Sequence, residues 1–146
     1  MESILIPDWI LQYVEACNRH DAVAVVDLMA EDVRVVDTAF GGEFKGREAV
    51  QQLLVRMDAN LSSDYRFTVH KAVTSGDDYA FEWTLSGTND RTNPELGLPA
   101  TGNKFTVPGL TIGSRRDGEI TENRDYWNVA GFLMQVGLMP PLGKNG

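Results

Sequence analysis

The sequence predicts a single α+β domain, residues 1–146, in which three N-terminal helices pack into a strongly curved, mainly antiparallel sheet, an α+β barrel or cone. Three observations carry this. Apolar residues recur at helical spacing in the first third of the chain and at strand spacing in the second half. No linker, internal repeat or low-complexity tract separates the two halves. Helices followed by a meander give an α+β fold, and a sheet wrapped around the helices buries their apolar faces. Such a cone leaves a cavity between sheet and helices, a usual place for a small-molecule site.

Trp9, Ile10, Tyr13, Val14 and Cys17 share one face of a first helix. Pro7 suits its first turn and Asn18-Arg19-His20-Asp21 breaks it. Asp21 can cap a second helix over Ala22 to Met29. Val33 to Thr38 is rich in β-branched residues and reads as a short strand; Gly41-Gly42 reads as a turn. A third helix runs from Arg47 to Leu61, with Val50, Leu53, Leu54, Met57 and Leu61 on one side. Phe67, Val69, Lys71 and Val73 then alternate with Thr68, His70 and Ala72. Beyond the turn at Ser75 to Asp78, Tyr79, Phe81, Trp83 and Leu85 alternate again, which makes a hairpin. Asn89 to Asn103 holds Pro94, Gly97 and Pro99 and reads as a long loop, a candidate lid. Lys104 to Ser114 and Ile120 to Val129 are two more strands, joined by a turn with an Asp117-Gly118 pair. Phe132 to Leu138 predicts a short terminal helix.

Acidic residues outnumber basic ones by 21 to 13, a net charge of −8. Phosphate and anionic lipid repel such a chain, so no nucleic-acid or membrane partner is expected. Hydrophobic residues make up 42%, enough for a real core, without a run long enough to span a bilayer. Cys17 is the only cysteine, which excludes an internal disulfide and a thiolate zinc site. Met1 to Asp8 has no basic segment before its short apolar run, so no signal peptide and a cytoplasmic location are expected. The glycines follow no phosphate-loop spacing, and neither His20 nor His70 sits in a metal-binding motif. No cofactor and no metal are expected, and both histidines are expected to be solvated.

Three stretches carry a resemblance. Tyr13 to Asp21 followed by Leu28 to Val33, Thr84 to Thr88 followed by Pro99 to Lys104, and Gly118 to Trp127 followed by Gln135 to Leu138 resemble the opening helices, central hairpin and last strand of one superfamily. It is the nuclear-transport-factor-2-like superfamily, and within it the SnoaL-like polyketide cyclases. More distantly the chain resembles ketosteroid isomerase and limonene epoxide hydrolase. The resemblance implies a cofactor-independent enzyme that uses acid and base on a hydrophobic carbonyl compound, by aldol cyclisation or isomerisation. It also implies a homodimer formed through the outer face of the sheet, where Ile112, Ile120 and Tyr126 are expected. Many chemistries share this fold, so the substrate stays open.

Asp125 is the first candidate for catalysis. Alternation in the last strand puts Thr121, Asn123, Asp125 and Trp127 on one face. A carboxyl in a cavity beside Trp127 is poorly solvated, which raises its pKa toward the useful range. The plain alternative is a surface aspartate paired with Arg124 or Arg66. The resemblance implies that Asp125 is the general acid/base. Asp37 ends an apolar stripe with Val33 and Val35, and is either a second acid/base or a cap of the Gly41-Gly42 turn. The resemblance to ketosteroid isomerase implies base at Asp37 and oxyanion donor at Tyr13. Tyr13 could equally anchor the core through one hydrogen bond. Trp127, Phe40, Trp83, Asn89 and Asn123 are the candidate substrate contacts.

The departures narrow the chemistry. Where ketosteroid isomerase has a second aspartate, this chain has Gly109-Leu110. The Arg and Asp pair of the epoxide hydrolase is missing from Phe81 to Ser86. Asn89 stands where many relatives carry a His, so a mechanism using that His does not transfer. A non-catalytic cone that binds a small apolar ligand or serves assembly is the alternative of a different class, and a dehydratase or epoxide hydrolase a further one.

Overall fold

The computed structural model describes residues 5–143; the reading of Met1 to Ile4 lies outside the described residues, as do 144–146. Helix α1 (Asp8–Asn18) starts after Pro7 and stops where His20 takes a positive φ of 56°. Helix α2 (Ala22–Val26) is capped by Asp21, whose carboxylate accepts from the Ala24 amide at 3.0 Å. It is shorter than the predicted Ala22 to Met29 because Met29 already belongs to strand β1 (Met29–Asp37). Met29, Ala30 and Val33 are all buried, and tertiary burial draws the chain out of the helix early. Strand β2 (Gly42–Lys45) follows, then helix α3 (Arg47–Asn60), strands β3 (Arg66–Ser75), β4 (Asp78–Thr88), β5 (Lys104–Arg116) and β6 (Glu119–Trp127), and helix α4 (Val129–Gln135). The sequence reading left β2 inside a turn; four residues are too few to show a period. No helix among the described residues is long and apolar enough to cross a membrane.

The six strands form one sheet in the order β2-β1-β6-β5-β4-β3. Only β1 and β6 are parallel; every other pair is antiparallel. The β1–β6 pairing places Asp37 across from Asp125, side by side on strands about 4.8 Å apart. The helices lie on one face of the sheet. One apolar cluster gathers α1, α4 and β3 to β5 around Phe81, Trp83, Phe105 and Phe132. A second gathers α1, α2, α3, β1 and the start of β6 around Val25, Val33, Val50 and Ile120. The other face carries Leu110, Ile112 and Tyr126, each more than two-fifths exposed.

Ile120 corrects one expectation. It is 2% exposed and belongs to the core, not to the outer face. Ser114 pairs with Glu122 while Arg115 pairs with Ile120, so Thr121 is an extra residue in β6. A bulge of this kind shifts the alternation by one, and every side chain before it changes face. Beyond the bulge, Asn123, Asp125 and Trp127 keep the inward face expected of them.

Gly109 lies opposite Trp83 in the β4–β5 ladder, and the indole crosses directly over it. Any Cβ at this position would run into the six-membered ring of Trp83. Gly109→Ala is therefore expected to lower stability by about 1–3 kcal/mol, as overpacking of a filled core does. Urea unfolding followed at Trp83 checks this, and an unchanged midpoint would contradict the packing described.

Candidate active site

The inward residues of β1, β4, β5 and β6, with α1 and α3 above them, enclose a cavity of about 240 Å³. Its wall is mostly apolar. Polar groups converge at the sheet end, where Asp125, Thr111, Asp37 and Tyr13 all line it. Asp125 makes no ion pair among the described residues; neighbouring Arg124 turns to Glu122 on the other face, at 2.8 Å.

The hydrogen bonds run in one direction. The Trp83 indole can only donate, and its Nε1 gives its hydrogen to Thr111 Oγ1 at 2.8 Å. Thr111 therefore passes its own hydrogen to Asp125 Oδ1, at 2.7 Å. A second chain starts at Tyr79, whose hydroxyl donates to Asn123 Oδ1 at 2.6 Å. That fixes the amide so that Nδ2 faces Tyr13 Oη at 3.3 Å and Asp125 Oδ1 at 3.5 Å. Both supports reach the same oxygen of Asp125. Oδ2 is left without a partner among the described residues and is the oxygen available to a ligand. Tyr13 accepts from Asn123, and its own hydrogen is left to the neighbouring Cys17 sulfur, a weak acceptor that a ligand oxygen can replace.

Asp37 is held differently. Its Oδ1 accepts from Trp127 Nε1 at 3.1 Å and from the Ala39 amide at 3.0 Å. It thus steadies the start of the Gly41-Gly42 turn and also lines the cavity, so both readings of this residue describe its position. Trp127 and Phe40 meet edge to face, with ring centroids 5.0 Å apart, and close the wall next to it.

Burial pushes the Asp125 carboxyl up to about 7; the Thr111 hydrogen bond opposes this, and the negative charge of Asp37 adds to it. Burial likewise keeps the Tyr13 hydroxyl protonated, with Cys17 and Asp125 adding to the effect. It raises the Cys17 thiol to about 12, so this cavity residue is no thiolate nucleophile near neutrality. The arrangement offers one carboxyl that both takes and gives a proton near pH 7, and one hydroxyl that stays a donor.

Residues 10–123 match the SnoaL-like domain family. The chain belongs to this family. Among solved structures, this SnoaL-like domain is similar to a protein of ketosteroid isomerase-like fold from Catenulispora acidiphila, solved with trimethylamine. The two are 27% identical, over 92% of this chain and 96% of that one, with a TM-score of 0.81. It is also similar to a protein from Xanthomonas campestris described as a polyketide cyclase, with 32% identity over 88% of this chain and 94% of that one, TM-score 0.74. A SnoaL-like protein from Jannaschia shares the fold at 18% identity, over 96% of this chain and all of that one, TM-score 0.79. No curated protein matches the sequence.

Of the residues singled out in the sequence, the SnoaL-like cone brings Asp125, Asp37, Tyr13, Trp127, Phe40 and Trp83 to one cavity. Asn123 stands behind it, 1% exposed, and orients Tyr13 and Asp125 where direct substrate contact was expected. Asn89 is a correction. It is buried outside the cavity, and its backbone and amide bind Pro99, Thr101, Gly102 and Asn103, tying the two ends of the 89–103 loop together. Its amide nitrogen gives its hydrogens to Pro99 O and Thr101 Oγ1, and so holds the loop closed at a place the cavity does not reach. The loop folds back through an Asn93–Leu98 bridge and brings Asn93, Glu95 and Leu96 to the cavity. His20 is likewise not solvated: it stacks on Tyr65 at 3.9 Å and bonds Asp58 at 3.1 Å. Thr111 and the polar role of Trp83 were missed, because only cross-strand register reveals that Thr111 points at Asp125 and Trp83 at Thr111.

The raised pKa has a consequence for folding. The folded chain holds the Asp125 proton more tightly than the unfolded chain, whose aspartate titrates near 3.8. This group therefore subtracts from stability as pH climbs from about 4 to about 7, and the loss then levels off. Asp125→Asn is expected to be more stable than wild type at pH 8, by on the order of 4 kcal/mol at most, and little changed at pH 4. Urea unfolding at both pH values measures the difference, and an equal shift at each pH would contradict the assigned cause.

Proposed function

We propose that this SnoaL-like domain is a cofactor-independent acid/base enzyme that moves protons at carbon in an apolar carbonyl compound. The observation that carries the reading is Asp125, a carboxyl without a cationic partner, in an apolar cavity, titrating near neutrality. Its free Oδ2 removes a proton next to a carbonyl, and the electron pair moves to the carbonyl oxygen. Tyr13 donates a hydrogen bond to that enolate oxygen, while Thr111 and Asn123 hold the base in place. The enolate carbon then attacks a second carbonyl of the same molecule, whose oxygen takes the proton back from Asp125. Return of the proton to a different carbon gives an isomerisation instead. Likeness to the Xanthomonas campestris protein described as a polyketide cyclase favours cyclisation. Asp37 adds negative charge that keeps Asp125 basic.

Both outcomes share the first step, so the test reads that step alone. β-Tetralone incubated with the protein in deuterated water is expected to incorporate deuterium beside its carbonyl faster than in buffer. Asp125→Asn is expected to lower the rate by about 10² to 10⁴ fold. The wild-type rate should rise with pH through a limb near 7, and Thr111→Val, which removes the bond favouring the carboxylate, should move that limb upward. No exchange above buffer, or exchange unaffected by Asp125→Asn, would overturn the reading.

The outer face carrying Leu110, Ile112 and Tyr126 is proposed to join two copies of the chain. Light scattering at micromolar concentration is expected to give twice the monomer mass, and Tyr126→Lys to shift it toward the monomer. A monomer mass for the wild type removes the dimer.

A further inference from the structure

Among the described residues, Arg56 is the only cationic one of the cavity wall. It rises from the C-terminal half of α3, away from the strands that carry the two aspartates. It is partly buried, yet it makes no ion pair and no side-chain hydrogen bond among the described residues. Most other partly buried arginines of the chain behave otherwise. Arg34, Arg47 and Arg124 each meet a carboxylate within 3.3 Å. Arg115, the remaining one, donates to the Gly118 carbonyl at 3.2 Å, so among the described residues Arg56 alone of the partly buried arginines has neither kind of partner.

Its position is nonetheless fixed. The guanidinium lies 5.7 Å from the centre of the Phe44 ring, which lines the same cavity. A cation over an aromatic face spends no N–H donor on a hydrogen bond and leaves those donors free. A planar fork of donors held over a ring, beside an apolar cavity, is suited to a carboxylate in a two-point contact. The other charged groups of the wall are Asp37 and Asp125 at the strands and Glu95 on the exposed loop. Asp37 and Glu95 repel an anion, as Asp125 does once ionised, and Arg56 alone among the described wall residues attracts one. A ligand anchored there presents its opposite, uncharged end to Asp125.

We propose that Arg56 anchors a carboxylate on the substrate, so that the ligand class is an apolar ring compound with a carbonyl at one end and a carboxylate at the other. This rests on the acid/base reading of the same cavity. The anchor fixes which end enters first and thereby which carbon meets the base.

The test uses 2-naphthoate and its uncharged isostere 2-naphthamide, with affinities measured by calorimetry near pH 6. The wild type is expected to bind the carboxylate about tenfold more tightly than the amide. R56Q should abolish the preference and bring the two to equal affinity, with an unchanged urea midpoint showing that the variant is folded. R56K, which keeps the charge and loses the fork, should retain only part of the preference. Equal affinity in the wild type, a preference that survives R56Q, or no binding of either probe overturns the proposal. None of these results touches deuterium exchange into neutral β-tetralone, which needs Asp125 and not Arg56.

Discussion

The parallel contact between β1 and β6 is the constraint on which the rest of this structure depends. It joins the first strand of the chain to the last, and in doing so sets two aspartates side by side on the inward face. Two like charges at neighbouring positions in a poorly solvated cavity do not both ionise freely. The strand order that closes the cone also creates its chemistry. Shifting either strand by one residue would turn one aspartate outward, so fold and site share a single register.

The second layer of the site is a matter of direction. Two groups that can only, or in this setting only, donate stand at the far ends of the chains leading to Asp125: the Trp83 indole and the Tyr79 hydroxyl. Each sets the orientation of one intermediary, Thr111 or Asn123, and both intermediaries point to the same carboxylate oxygen. The result is a carboxyl with one occupied and one open oxygen. Gly109 belongs to the same device, since only a residue without a side chain lets the Trp83 indole lie across β5 to reach Thr111.

Much of this was legible in the sequence, and the parts that were not share a reason. Alternation within one strand placed Asp125 and Trp127 on one face, and an apolar stripe ending in Asp37 flagged the second carboxyl. The helices and long strands follow from period alone. What period cannot give is register between strands. Thr111 reads as an ordinary strand residue until β5 and β6 are aligned, and Asn123 reads as a ligand contact until Tyr79 is seen beside it. Ile120 was assigned to the wrong face because one inserted residue, Thr121, has no signature in the sequence. Asn89 reads as a ligand contact by its place after the hairpin, and in this chain it closes the loop that follows it. Arg56 lay unnoticed on a helix whose apolar face drew attention instead.

The 89–103 loop is pinned to the rest of the chain near its two ends, where Asp90 accepts from Ser63, Arg91 donates to the Asp58 carbonyl and Asn103 to that of Val136, while the stretch between is fastened to itself. Asn89 grips the returning end, and the Asn93–Leu98 bridge closes the tip, while the barrel strands on either side pair with each other independently of it. A segment built this way is a cassette. Its length and composition can drift between descendants of one ancestor without disturbing the β4–β5 ladder or the aspartates. The floor of the cavity and the loop beside it can therefore evolve on separate clocks, and a new ligand shape can be accommodated by exchanging the loop alone.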